Sequence, residues 1–147
     1  WFGKGMFESG YVPEVFRAAA AMTYNAIGEV LPSDHGKVSL AMRRAMGVVT
    51  VISPWNFPTL LTARGLAFPI AAGNCVVLKP SEETPYTGGM IFAEIFEAAG
   101  VPPGVLNVVT CSRENVPAVG DVIVEHPLVK GISFTGSTPV GKLLMRL

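Results

Sequence analysis

Asn56 sits in Ser53-Pro54-Trp55-Asn56-Phe57-Pro58, where two prolines stiffen the backbone on either side of an aromatic ring and an amide. A carboxamide held in this way can donate to a developing oxyanion, a contact worth about 3 kcal/mol of transition-state stabilisation. It can equally cap the helix that Pro58 opens. Lys79-Pro80-Ser81-Glu82 sets a cation and a carboxylate where both can reach one ribose. Glu82 would accept from the ribose hydroxyls and repel a 2′-phosphate, which favours NAD over NADP. The plainer alternative is a solvated Lys79–Glu82 pair in a loop, worth little energetically. Gly136 and Ser137 precede Thr138-Pro139-Val140-Gly141, so a glycine turn leads into a helix opened by Pro139. The open amides and dipole of such a helix favour a phosphate by a few tenths to about 1 kcal/mol, although a capped helix after a tight turn accounts for the same residues. Gly136 to Lys142 also comes close to the P-loop pattern, but Leu143 stands where a magnesium-binding hydroxyl is required. No G-x-G-x-x-G follows any apolar run.

Each of these polar segments ends an apolar run: Val48 to Ile52, Cys75 to Leu78, and Ile132 to Phe134. Short continuous apolar runs bounded by turn residues predict strands buried on both faces, as in a parallel sheet. Strands are expected to start near Val48, Cys75, Val105 and Ile132, roughly 25 to 30 residues apart, the length of a strand–helix–strand unit. One helix opens at Pro58 and carries Leu61, Arg64, Leu66 and Ala67. Another is expected to be capped by Thr84 ahead of Pro85, to carry Ile91, Phe92, Ile95, Phe96 and Ala99, and to stop at Gly100. A third spans Val116 to Glu125. Upstream, a helix is predicted from Pro13 through Phe16, Ala19, Ala20, Thr23, Ile27 and Val30, ending at Leu31-Pro32-Ser33. Lys37 to Arg44 reads as an exposed β segment, in a surface hairpin or paired with another subunit. The class is α/β, a Rossmann-like parallel sheet with flanking helices preceded by a helix and a β-hairpin. Ligands of such sheets collect beyond the carboxyl ends of the strands, where the polar segments lie.

The composition narrows the function. Half of the 147 residues are hydrophobic and 15% are charged, which is too apolar for disorder. Eleven basic residues balance eleven acidic ones, so nothing electrostatic favours nucleic acid or an anionic membrane. No apolar stretch reaches the roughly 20 residues of a membrane span, and Arg64 and Pro69 break the best candidate, Leu60 to Ala72. Two cysteines without framework spacing suit a reducing cytoplasm. The chain opens on Trp1 and stops at Leu147 inside an uncapped apolar segment, as expected of an internal piece of a longer protein.

Pro-Trp-Asn-Phe-Pro, Lys-Pro-Ser-Glu and Phe-Thr-Gly-Ser-Thr-x-x-Gly, in this order and approximate spacing, resemble the NAD(P)-dependent aldehyde dehydrogenase superfamily, most of all bacterial enzymes for aromatic aldehydes such as benzaldehyde or vanillin. The resemblance covers the whole chain. It implies that residues 1–147 form the incomplete N-terminal, NAD-binding part of such an enzyme, with the catalytic domain outside. The implied reaction oxidises a small-molecule aldehyde to the acid through a cysteine thioester, with NAD, or NADP as the second candidate, in a homo-oligomeric parent. Asn56 would donate to the oxyanion. Ile52, Ser53, Pro54 and Trp55 would contact the cofactor; Lys79 and Glu82 would hold the adenosine ribose, with Ser81 nearby. Gly136 and Ser137 would seat the pyrophosphate, while Val140 and Gly120 would lie at the adenine. The Cys111–Pro117 loop departs from the family pattern, lacking a glycine that many members carry there. Cys75 and Cys111 lie outside the nucleophile motif, so nucleophile and general base are expected beyond this chain. A CoA-acylating or acyl-phosphate-reducing relative, and a non-catalytic nucleotide-binding module, are the alternatives. No metal site is expected.

Overall fold

The computed structural model describes residues 2–25 and 27–146. Helix α1 (Phe2–Met22) leads into an antiparallel hairpin of β1 (Gly28–Leu31) and β2 (Ser39–Met42). Four parallel strands follow: β3 (Val48–Ile52), β4 (Cys75–Lys79), β5 (Leu106–Val108) and β6 (Val129–Phe134). They are joined by α2 (Pro58–Ala71), a π turn (Tyr86–Met90) running into α3 (Ile91–Ala98), and α4 (Val116–Glu125), with α5 (Thr138–Leu144) after β6. The strand order is β5-β4-β3-β6. The chain therefore walks outward from β3 to β5, then crosses back to lay β6 on the other side of β3. That reversal is the switch point of an open α/β sheet.

Alternation along the strands divides the sheet into two unequal faces. Val49 and Val51 of β3 and Val76 and Leu78 of β4 pack into one core with Leu60, Ala63, Leu66 and Ala67 of α2, Val15 and Ala19 of α1, and Phe92 of α3. Phe16 of α1 sets its ring against Phe92 and Phe96, with centroids at 6.3 and 5.8 Å. Each fully buried large side chain here adds roughly 1.5–3 kcal/mol, so this face carries most of the stability. Thr50 points the other way, and its hydroxyl donates to Ile123 O of α4 at 2.6 Å. An apolar cleft of about 290 Å³ remains beneath α4, lined by Val48, Val77 and Val122 among others. The second face is thinly packed.

The α/β alternation and the strands starting at Val48, Cys75 and near Val105 stand as expected, as do α2 from Pro58 and α4 over Val116–Glu125. Gly100 (φ 76°) closes α3, with Val101 N donating to Phe96 O at 3.0 Å. Three expectations change. The first helix begins at Phe2 rather than Pro13 and ends at Met22, where Thr23, Tyr24 and Asn25 donate to the carbonyls three residues back. Ile27 and Val30 therefore lie off the helix. Val30 is in β1, paired with Leu40, and the part of the expected helix at Ala26 lies outside the described residues. Second, Thr84 does not cap with its side chain: its hydroxyl is buried without a partner, and the chain turns through a π turn in which Met90 N donates to Pro85 O at 3.1 Å. Third, β6 starts at Val129 rather than Ile132, because a bulge opposite Val48/Val49 absorbs Lys130.

Gly65 brings α2 close to the sheet at the switch point. A Cβ there would lie 2.7 Å from Val51 Cγ1 and 3.4 Å from Ser133 Oγ. Val51 is stiff and buried, so it cannot turn aside. Gly65→Ala is expected to cost about 1–3 kcal/mol by overpacking. A lower urea midpoint is the readout; an unchanged midpoint would mean that α2 shifts freely on β3.

Candidate functional site

The reversal leaves the tips of β3 and β6 uncovered by any crossover, and a crevice of about 320 Å³ opens there. Pro54, Trp55 and Asn56 line one wall, Thr135, Gly136 and Ser137 the other, with Leu61 of α2 between them. Backbone bonds extend the sheet into the loops and hold the tips in a row. Thr135 N donates to Ile52 O at 3.0 Å, and Ser53 N donates to Lys79 O at 3.2 Å. Five of the sequence-predicted residues thus meet in one crevice: Pro54, Trp55, Asn56, Gly136 and Ser137.

Asn56 is exposed, and its Oδ1 accepts from Phe57 N at 3.2 Å. A backbone amide can only donate, so this bond assigns the carbonyl side of the carboxamide inward and leaves Nδ2 as the available donor. The side chain does not cap α2. The N-cap residue is Phe57, and the amides of Thr59 and Leu60 are both bonded to Glu8 Oε2 at 2.9 Å, a carboxylate reaching across from α1. Glu8 escaped the sequence reading. Its one signal was a carboxylate at the position where the apolar stripe Val12, Val15, Phe16 and Ala19 should continue.

Ser53 is buried and faces inward rather than into the crevice. Thr62 Oγ1 lies 2.6 Å from Ser53 Oγ and 2.8 Å from Gly88 O. Having one proton, Thr62 donates to the carbonyl and accepts from Ser53. This buried bridge ties the β3 tip, α2 and the π turn together. Ile52 ends β3 half-buried beside it.

Lys79 is the last residue of β4 and is only 5% exposed, unlike a solvated loop lysine. Its ammonium donates to Pro80 O at 3.1 Å and stands 4.0 Å from Glu82 Oε2. Ser81 is buried, its hydroxyl accepting from Glu83 N at 3.3 Å. Lys79, Ser81 and Glu82 sit at the tip of the strand next to β3 but do not line the crevice. Neither do Gly120 in α4 and Val140 in α5. A Cβ at Gly136 would lie 2.5 Å from Phe134 Cζ, so any side chain there would have to displace that ring. Outside the crevice, Tyr86 donates to Glu94 Oε2 at 3.0 Å, and that carboxylate holds the phenol above its ordinary range. Cys75 and Cys111 are free and partly buried, and neither lines the crevice. Among the described residues, no cluster of His, Cys, Asp and Glu could hold a metal ion, and no helix is long and apolar enough to cross a membrane.

A parallel sheet whose order reverses at a polar-tipped crevice defines a Rossmann-like α/β domain. The model of the aldehyde dehydrogenase family matches residues 2–147, and the chain belongs to that family. A benzaldehyde dehydrogenase of Bacillus subtilis (strain 168) is 47% identical over 145 residues, which are 98% of this chain and 29% of the relative. A mitochondrial succinate-semialdehyde dehydrogenase of Homo sapiens is 42% identical over 137 residues, 93% of this chain and 25% of the relative. The crystal structure of an NAD-dependent benzaldehyde dehydrogenase from Corynebacterium glutamicum matches with a TM-score of 0.90 at 43% identity, over 98% of this chain and 31% of that one. The chain thus spans less than a third of the length of each of these relatives.

The Thr62 bridge tests how the tips are held. Thr62→Val keeps the shape but strips Ser53 and Gly88 of a buried partner, and is expected to cost about 1–3 kcal/mol. Thr62→Ser, which keeps the hydroxyl, should unfold at a clearly higher denaturant concentration than Thr62→Val. Equal midpoints would mean that the Thr62 hydroxyl does not hold the tips together.

Proposed function

We propose that the chain is the cofactor-binding part of an enzyme that oxidises an aldehyde, with aromatic aldehydes as the substrate class, to the carboxylic acid through a cysteine thioester. The cysteine nucleophile and the general base lie outside these residues. The observation that carries this reading is the Asn56 carboxamide, with its oxygen engaged by Phe57 N and its NH₂ left to donate at the switch-point crevice. When a thiolate adds to the aldehyde carbonyl, the carbonyl oxygen takes the negative charge, and an amide already oriented stabilises it without reorganising. The relatives named for benzaldehyde support the aromatic class for the whole protein.

NAD is the proposed cofactor, supplying the hydride acceptor when bound. Lys79 supports the fit. Its buried ammonium has three donors and one carbonyl acceptor within hydrogen-bond distance, so a ribose hydroxyl beside it would find both this donor and the Glu82 carboxylate. Ser137 is the N-cap residue of α5 and makes no side-chain cap bond, which leaves its hydroxyl and the open amides of the first turn to a pyrophosphate. Ile52, Pro54, Trp55 and Gly136 would contact the cofactor along the same wall, with Ser53 and Ser81 shaping it from beneath. Gly120 and Val140 are assigned to the adenine on resemblance. The exposed apolar residues of the hairpin, Val30, Leu40 and Met42, support a homo-oligomer joined through that element. A cytoplasmic location suits the two free thiols.

In the full-length protein, Asn56→Ala is expected to lower kcat by about 10²–10³, with little loss of NAD affinity, because the amide meets charge that appears only after attack. Stability should hold, since the side chain caps no helix. A normal rate per folded molecule would discard the oxyanion role. Cofactor choice is a separate measurement. Glu82→Gln should shift kcat/KM towards NADP by removing like charge from the 2′-phosphate, tempered by Lys79; an unchanged NAD/NADP ratio would take Glu82 out of the ribose site.

A further inference from the structure

We propose that Glu8 is a positioning residue for the Asn56 amide: a carboxylate on α1 that closes the open end of α2 and thereby fixes the loop carrying the proposed oxyanion donor. The inference rests on the reading of Asn56 given above.

Glu8 is 5% exposed and sits on the buried stripe of α1 with Val15 and Ala19. A carboxylate is costly there unless the fold pays it back in hydrogen bonds. It accepts two: Thr59 N and Leu60 N both donate to Oε2 at 2.9 Å. These are the open amides of the first turn of α2. Pro58 has none to offer, and Leu61 N already donates to Phe57 O at 2.9 Å. The negative charge also faces the positive end of the helix dipole. The donors at the start of α2 are therefore satisfied, and among the described residues the group from outside the helix that does this belongs to α1.

Asn56 lies immediately ahead of that start. Its Oδ1 is bonded to Phe57 N, and the Phe57 ring is packed under Lys4 of α1, with Nζ 4.2 Å from the centroid. Where α2 begins thus decides where the Asn56 NH₂ points. Glu8 itself does not line the crevice and touches no reacting group. Its role is exerted through Asn56. A misplacement of about 1 Å at a catalytic donor can cost 10²-fold in rate, so loosening this end should appear in kcat.

The test is a double-mutant cycle on the full-length enzyme, with rates expressed per folded molecule and kcat and KM for the aldehyde measured separately. Glu8→Ala is expected to lower kcat by roughly ten- to a hundredfold, leaving KM little changed. Glu8→Gln, whose side-chain carbonyl can still accept from both amides, should restore most of the rate. In an Asn56→Ala background, Glu8→Ala should change kcat by no more than about twofold, because the group it positions is gone. The same fold-loss in both backgrounds, or a loss confined to KM, would overturn the proposal. If Glu8→Ala does not fold, Glu8→Asp replaces it: one methylene shorter, it cannot hold both amides and should show the same loss, dependent on Asn56. Asn56→Ala with a wild-type kcat overturns the oxyanion reading itself, and is read on that single variant before Glu8 is changed.

Discussion

The reversal of strand order at β3 is the constraint on which the rest of this structure depends. Because β4 and β6 lie on opposite sides of β3, the connections leaving β3 and entering β6 run on opposite faces, and nothing crosses above the two tips. Polar loops can end there without being buried, and they do: Pro54 to Asn56 from one strand, Thr135 to Ser137 from the other. The bonds from Thr135 N to Ile52 O and from Ser53 N to Lys79 O carry the parallel register one step past the strands, so the loops inherit the spacing of the sheet. Segments far apart in sequence are brought together by the geometry of the sheet backbone.

The two faces of the sheet do different work. The face covered by α1, α2 and α3 holds the continuous core, and the crevice wall with Asn56 and Leu61 grows out of it. Polar groups within that layer are paired in ways that fix α2: the Thr62 bridge to Ser53 and Gly88, and the Glu8 carboxylate on the first amides. The opposite face depends on α4, held by the bond from Thr50 to Ile123 O over a partly empty apolar cleft. Local opening is cheaper where fewer apolar contacts must break. The β6–α5 wall, which lies towards that thinner side, should therefore yield more readily than the wall carrying Asn56.

The central strands and their tips were readable because buried apolar runs and turn residues are local signals. The motifs at the strand tips were readable by resemblance; two of them, Pro54 to Asn56 and Thr135 to Ser137, meet in the crevice, and Lys79 to Glu82 ends the neighbouring strand outside it. What could not be read was set by partners distant in the chain. Pro13 marks a first turn in the sequence, yet the apolar stripe of α1 runs back through Val12 to a position held by Glu8, a residue that makes sense only opposite the start of α2. Ile27 and Val30 continued a helical spacing, but Thr23 to Asn25 close the helix and β2 captures Val30. Thr84 has the sequence of a cap. The glycines behind it allow close packing on Pro80, where a Cβ on Gly89 would lie 2.6 Å from Cγ, and the chain enters α3 through a π turn instead.

On the proposed function, the switch-point crevice seats the reacting end of a dinucleotide beside Asn56. A crystal structure of the full-length protein with NAD tests it most directly. The cofactor is expected against Pro54, Trp55, Gly136 and Ser137, its adenosine ribose at Lys79 and Glu82, and the Asn56 NH₂ facing the space next to the nicotinamide. A cofactor seated clear of Asn56 and of Gly136–Ser137, for instance in the apolar cleft beneath α4, would contradict it.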